Sequence, residues 1–119
     1  MIKQRLQSFQ YAFQGLAELI KTQPNLRIHL LATSVVIGGG FFFRLSPNEW
    51  CAVALAISLV LAAEAFNTAL EYLVNLVSPD YHPLAGKVKD LAAAGVLLAA
   101  TGSFVVGIII FLPKVFSYF

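Results

Sequence analysis

A chain of 119 residues has room for one domain, and a composition 59% apolar with 12% charged residues lies far from the roughly 25% charge of soluble domains. That excludes an ordinary water-soluble globule, and a formal net charge of +2 excludes the dense positive surface of a nucleic-acid binder. The solvent that suits such a sequence is a bilayer, whose hydrocarbon core of about 30 Å takes about 20 apolar residues per helical crossing.

From the N-terminus, Phe9, Phe13, Leu16, Ala17 and Ile20 recur at helical spacing, while Lys3, Arg5, Gln7, Gln14, Glu18 and Lys21 fall mostly elsewhere. This pattern predicts a helix lying in the membrane interface over about residues 3–22, anchoring without crossing. The segment lacks the combined basic region, apolar core and small-residue cleavage site of a secretory leader, so no cleaved segment is expected. Pro24 ends or bends it.

A first crossing is expected over about residues 26–45, with Asn25, Arg27 and Arg44 reaching for the headgroups from the ends of a short apolar run, Ile28 to Phe43. Gly38-Gly39-Gly40 lies deep in this run, which rules out a phosphate-cradling loop and points to close helix packing. No P-loop pattern occurs elsewhere. His29 reads as a packing or hydrogen-bonding residue rather than a ligand, and Tyr72 and Phe41 to Phe43 as lipid-facing or packing residues.

Pro47 marks a tight turn, Ser46 a helix cap, and Trp50 a headgroup-level aromatic. A second crossing follows over about residues 48–78; Cys51 within it is expected to be a small buried apolar residue. After the polar loop Ser78 to Asp90 comes a third crossing, about residues 86–113, uncharged from Leu91 to Leu112 and polar there only at Thr101 and Ser103. The expected fold is therefore all-α integral membrane, a single domain over residues 1–119 with an N-terminal amphipathic surface helix and three transmembrane helices. Lys3, Arg5, Lys21, Arg27, Lys87 and Lys89 fall on one side of the membrane and Arg44 and Lys114 on the other, which puts the N-terminus and the main loop in the cytoplasm and the C-terminus outside.

The second crossing carries the chemistry. Glu64, Asn67, Thr68, Glu71, Asn75 and Ser78 fall on one face of a helix. An acidic residue at the membrane centre costs about 2.5 to 3.5 kcal/mol on insertion scales, so two of them require protonation, pairing or ligation. Glu64 lies about 10 Å along the axis from Glu71, from a rise of about 1.5 Å per residue. The two carboxylates therefore suit different tasks. Glu71, near the headgroups, can bind Mg²⁺; Glu64, deeper, can accept a proton from a hydroxyl; Asn67 can orient either. Lys89 and Asp90 stand at the start of the third crossing, near Tyr81 and His82, where water-borne nucleotide could reach them. Phosphoryl transfer needs mainly positioning and charge stabilisation, so a metal, a lysine and a base would suffice.

Glu64-Ala-Phe-Asn-Thr-Ala-Leu-Glu71, followed by Tyr81-His82, Lys89-Asp90 and a third apolar span, resembles the prokaryotic diacylglycerol kinase family. Asn25-Leu-Arg-Ile-His29, His82-Pro-Leu-Ala85 and Ile109-Ile-Phe-Leu-Pro-Lys114 resemble the branch that includes undecaprenol kinases. The resemblance implies a homotrimer in the bacterial cytoplasmic membrane, with composite active sites that use ATP and Mg²⁺ to phosphorylate a lipid alcohol, undecaprenol or diacylglycerol. It makes Glu64 the general base, supported by Asn67, and Glu71 the metal ligand. Arg5, Tyr11, His82, Lys89 and Asp90 would contact nucleotide, and Arg27 with Glu64 would meet the lipid substrate. Gln23 stands where the family generally has a second metal-binding glutamate, and Asn75 where the stripe usually has an aspartate. Those two departures leave open a catalytically degenerate member of the family. From another class, a small proton-coupled carrier also accounts for an intramembrane glutamate, though it has no need of Lys89-Asp90.

Overall fold

The computed structural model describes residues 1–119 as four helices: α1 (Ile2–Thr22), α2 (Pro24–Phe42), α3 (Pro47–Val77) and α4 (Pro83–Tyr118). There is no strand, and α2, α3 and α4 are each long and apolar enough to cross a membrane. The chain is thus an all-helical membrane protein. Eleven of 119 residues are buried, so most of the apolar side chains are left on the outside of the helices.

Proline sets three of the corners. Pro24, Pro47 and Pro83 each occupy the first helical position, where a missing N–H costs nothing, and the residues before them, Gln23, Ser46 and His82, are extended, as proline requires of its predecessor. Ser46 closes a capping box: its Oγ accepts from the Glu49 N–H at 3.2 Å, and Glu49 Oε1 accepts from the Ser46 N–H at 2.9 Å. His82 caps α4, Nδ1 accepting from the Leu84 N–H at 3.1 Å.

The first crossing was expected to reach residue 45, but α2 stops at Phe42. The reason is a Schellman turn: the Leu45 N–H donates to the Gly40 carbonyl at 3.0 Å and the Arg44 N–H to that of Phe41 at 3.4 Å, with Arg44 at φ 55°. At the other extreme α4 runs past the expected limit, through Pro113 to Tyr118. Its 36 residues make it the longest rod in the molecule, matching the 54 Å long dimension.

α3 and α4 form the main packed pair, tied in mid-span by the Ser103 hydroxyl, which donates to the Ala56 carbonyl at 3.0 Å. Leu45, Val53 and Ile110 make a small core at the end that holds the α2–α3 turn. That end carries the Glu49–Lys114 ion pair at 3.1 Å and an aromatic cluster in which Phe43 meets Phe111 and Tyr118. Among the three glycines, Gly40 is the one that needs to be small: Trp50 packs directly over it. Cys51, expected to be buried, is exposed on α3, because Val53, two residues on and about 200° around the helix, is the one that packs into the core with Ile110 of α4.

Candidate active site

The polar stripe of α3 lies toward the other end. Glu64 and Thr68 are its innermost members, 4% and 3% exposed. From α2, His29 Nε2 reaches Glu64 Oε1 at 3.1 Å. The ring can donate there either as the neutral Nε2–H tautomer or as imidazolium. One turn along, Asn67 Nδ2 donates to Glu71 Oε1 at 3.3 Å. Asn67 Oδ1 and Thr68 Oγ1 are buried without a hydrogen-bond partner. A further turn on, Asn75 Oδ1 accepts from Lys89 Nζ on α4 at 2.7 Å.

The corner between α1 and α2 closes over this end. Tyr72 OH donates to Glu18 Oε1 at 3.0 Å and lies 3.4 Å from Thr22 Oγ1, so α3 holds the last turns of α1. Arg27, expected beside the lipid substrate, donates from Nε and Nη2 to the Ile20 and Lys21 carbonyls at 2.9 and 2.8 Å, satisfying the open end of α1. Gln23 sits at the corner with Nε2 on Thr22 Oγ1 at 3.2 Å, not on Glu71.

Of the residues singled out from sequence, the fold brings Asn67 to Glu71 within α3 and Lys89 to the stripe through Asn75. His82 is fixed by its capping role at the start of α4, which leaves Nε2 as its other polar atom. Asp90 on α4 and Arg5 and Tyr11 on α1 are exposed and join no side-chain hydrogen bond of the stripe. Two contacts escaped the sequence reading. The Glu18–Tyr72 bond joins residues 54 apart, and no local pattern announces it. The His29–Glu64 pair did have a signal: an intramembrane carboxyl demands a partner, and His29 is the one ionisable side chain in the run Ile28 to Phe43.

A cavity of about 350 Å³ opens between α2, α3 and α4, walled mainly by apolar side chains such as Val36, Ile57, Phe104 and Phe111. His29 stands in its wall at one end and bonds to Glu64, which lies just outside the lining.

The profile of the family described as prokaryotic diacylglycerol kinase matches residues 10–111. The chain is 39% identical over 107 residues to an undecaprenol kinase of Bacillus subtilis, covering 90% of this chain and 87% of that one. It is 41% identical over 113 residues to a diacylglycerol kinase of Synechocystis, covering 94% of this chain but 65% of the longer relative. A diacylglycerol kinase of Haemophilus influenzae is 29% identical over 94 residues, 79% of this chain and 80% of that one.

Proposed function

The chain belongs to the prokaryotic diacylglycerol kinase family, and from that premise we propose that it is a lipid kinase transferring the γ-phosphoryl group of ATP to the hydroxyl of a membrane lipid alcohol. The observation that carries this reading is Glu64, a buried carboxylate beside the head of an apolar slot, one and two turns from an oxygen-bearing pair, Asn67 and Glu71. A lipid hydroxyl at the head of the slot would give its proton to Glu64 while its oxygen bonds to the γ-phosphorus. The bond to the bridging oxygen breaks and ADP leaves with the electron pair.

Undecaprenol is the proposed acceptor, supported by the coverage of the Bacillus relative at nearly full length; diacylglycerol is the alternative. The nucleotide side falls to Lys89, Asp90 and His82, with Arg5 and Tyr11 contributed by α1.

Magnesium fits the residues present. No group of three or more acidic, histidine or cysteine side chains gathers in the chain, which speaks against an all-protein cage. Magnesium bound with nucleotide needs only one or two carboxylates, the rest of its shell coming from phosphate and water. Glu71 would hold it, with Gln23 as a neutral second ligand, and the orphaned Oδ1 of Asn67 is a further hard oxygen nearby. When bound, the ion neutralises charge on the phosphate oxygens.

One chain offers too few ligands for the whole nucleotide, which supports composite sites in a homotrimer. Two buried polar atoms without partners and an apolar surface point the same way. Tyr72–Glu18 and Lys89–Asn75 put the α1 corner and the α3–α4 loop at one end of the bundle, and the excess of Lys and Arg at that end is what supports a cytoplasmic N-terminus and loop in the bacterial inner membrane.

The test is phosphate transfer from labelled ATP with Mg²⁺ to undecaprenol and to diacylglycerol by the purified protein, with Glu64→Gln and Glu71→Gln alongside. Loss of about 10² or more in each variant is expected, the scale of a missing general base. A folded, oligomeric wild type that phosphorylates neither lipid would sink the reading. Recovery of activity by Gln23→Glu would then identify a weakened kinase instead.

A further inference from the structure

We infer that His29 is the positioning residue for this phosphoryl transfer: from α2, where it lines one end of the slot, it holds the carboxylate of Glu64 just behind that end. The inference rests on the kinase reading above. Glu64 is 4% exposed, so water cannot orient it, and its side chain has three rotatable bonds. A general base is useful only within about 2.6–3.2 Å of the proton it takes. The partner the fold supplies is the imidazole, at 3.1 Å on Oε1.

The anchor behind that imidazole is firm. Its helix starts at Pro24, next to the corner where Arg27 grips the end of α1, and Leu26, three residues before His29, is 3% exposed. His29 also lines the slot itself, with Val60 and Ile57 of α3 opposite. Oε1 is therefore held by the ring and the proton-accepting role falls to Oε2, on a carboxylate one turn beyond Val60, the last α3 residue to line the slot. The same bond is one of few links between α2 and α3, so the position of α2 sets the position of the base.

The experiment measures kcat and both KM values in lipid nanodiscs with Mg²⁺, ATP and undecaprenol for wild type, His29→Leu and His29→Gln. Glutamine carries an N–H donor of similar reach; leucine keeps bulk and loses the donor. In His29→Leu, kcat falls by about 30- to 100-fold, the scale of a misplaced catalytic group, with the KM for ATP within about twofold; in His29→Gln, kcat returns to within about fivefold of wild type. Equal loss in both variants, no loss in either, or a change confined to KM overturns the inference, because a purely structural histidine would not be rescued through its donor. Should His29→Leu fail to assemble, His29→Asn replaces it: its shorter amide keeps polarity but cannot span the distance, and it must lose kcat as leucine would. Inactive wild type removes the kinase reading as well; active wild type with kcat indifferent to His29 removes only this inference.

Discussion

Lys89 Nζ on α4 donates to Asn75 Oδ1 on α3 at 2.7 Å, an ammonium held by a neutral acceptor. The amide aims the cation without cancelling its charge, which leaves it able to meet phosphate. Lys89→Met keeps the length and removes the charge. A charge-assisted contact is worth about 1.5–3 kcal/mol, so the KM for ATP should rise roughly ten- to a hundredfold with the lipid KM unmoved. Steady-state kinetics with each substrate varied in turn decides it; a rise in the lipid KM alone would place Lys89 away from the nucleotide.

Gln23 holds Thr22 through its amide nitrogen and would offer a metal only a neutral carbonyl oxygen. Gln23→Glu adds a full negative charge at the same corner. At about 4 Å from a cation even a water-like dielectric gives about 1 kcal/mol per unit charge, and more for a divalent ion. The Mg²⁺ concentration for half-maximal rate should accordingly fall about fivefold or more. Titrating Mg²⁺ at fixed ATP checks this, and an unchanged midpoint would mean that position 23 does not face the metal.

Tyr72 clips α1 to the bundle through Glu18 and Thr22. Tyr72→Phe keeps the ring and deletes the hydroxyl, at a cost of about 1 kcal/mol for an exposed bond. Because α1 is otherwise exposed apart from Leu19, the loss should be local. Hydrogen exchange of the α1 amides is expected to quicken about fivefold while α3 and α4 stay protected. Uniform acceleration across the chain would show instead that the bond supports the whole bundle.

How much of this was legible beforehand depended on whether the signal was local. Proline at positions 24 and 47 marked two corners, and apolar runs marked the helices, because both act within a few residues; Pro83 was left in the polar loop, so the start of α4 was placed about three residues late. The face shared by Glu64, Asn67, Thr68 and Glu71 follows from helical geometry alone. The stop at Phe42 was missed because it depends on Arg44 adopting a positive φ, which its residue type disfavours. Glu18–Tyr72 and His29–Glu64 depend on how separate helices dock, and Cys51 on which face of α3 meets α4; none of these is written in a neighbouring residue.

The turn between α2 and α3 offers two opposite stability tests a few residues apart. Arg44 occupies the left-handed region at φ 55°, which costs a residue with a Cβ about 1–2 kcal/mol; glycine would be relieved of that, less the entropy it gains when unfolded. Arg44→Gly should therefore stabilise by about 0.5–1 kcal/mol. At Gly40 a Cβ would stand 2.5 Å from Trp50 Cη2, 2.9 Å from Cζ2 and 3.1 Å from Leu45 Cδ1. The Trp50 ring also packs on Phe41 at 5.0 Å between centroids, so it cannot yield without giving up that contact. Gly40→Ala should cost about 1–3 kcal/mol, the usual penalty of overpacking. Unfolding in mixed micelles measures both, and Trp50→Phe, by shortening the ring, should recover most of the loss in the double variant. If Gly40→Ala were neutral and Trp50→Phe added nothing, the tryptophan would have to rest elsewhere than over Gly40.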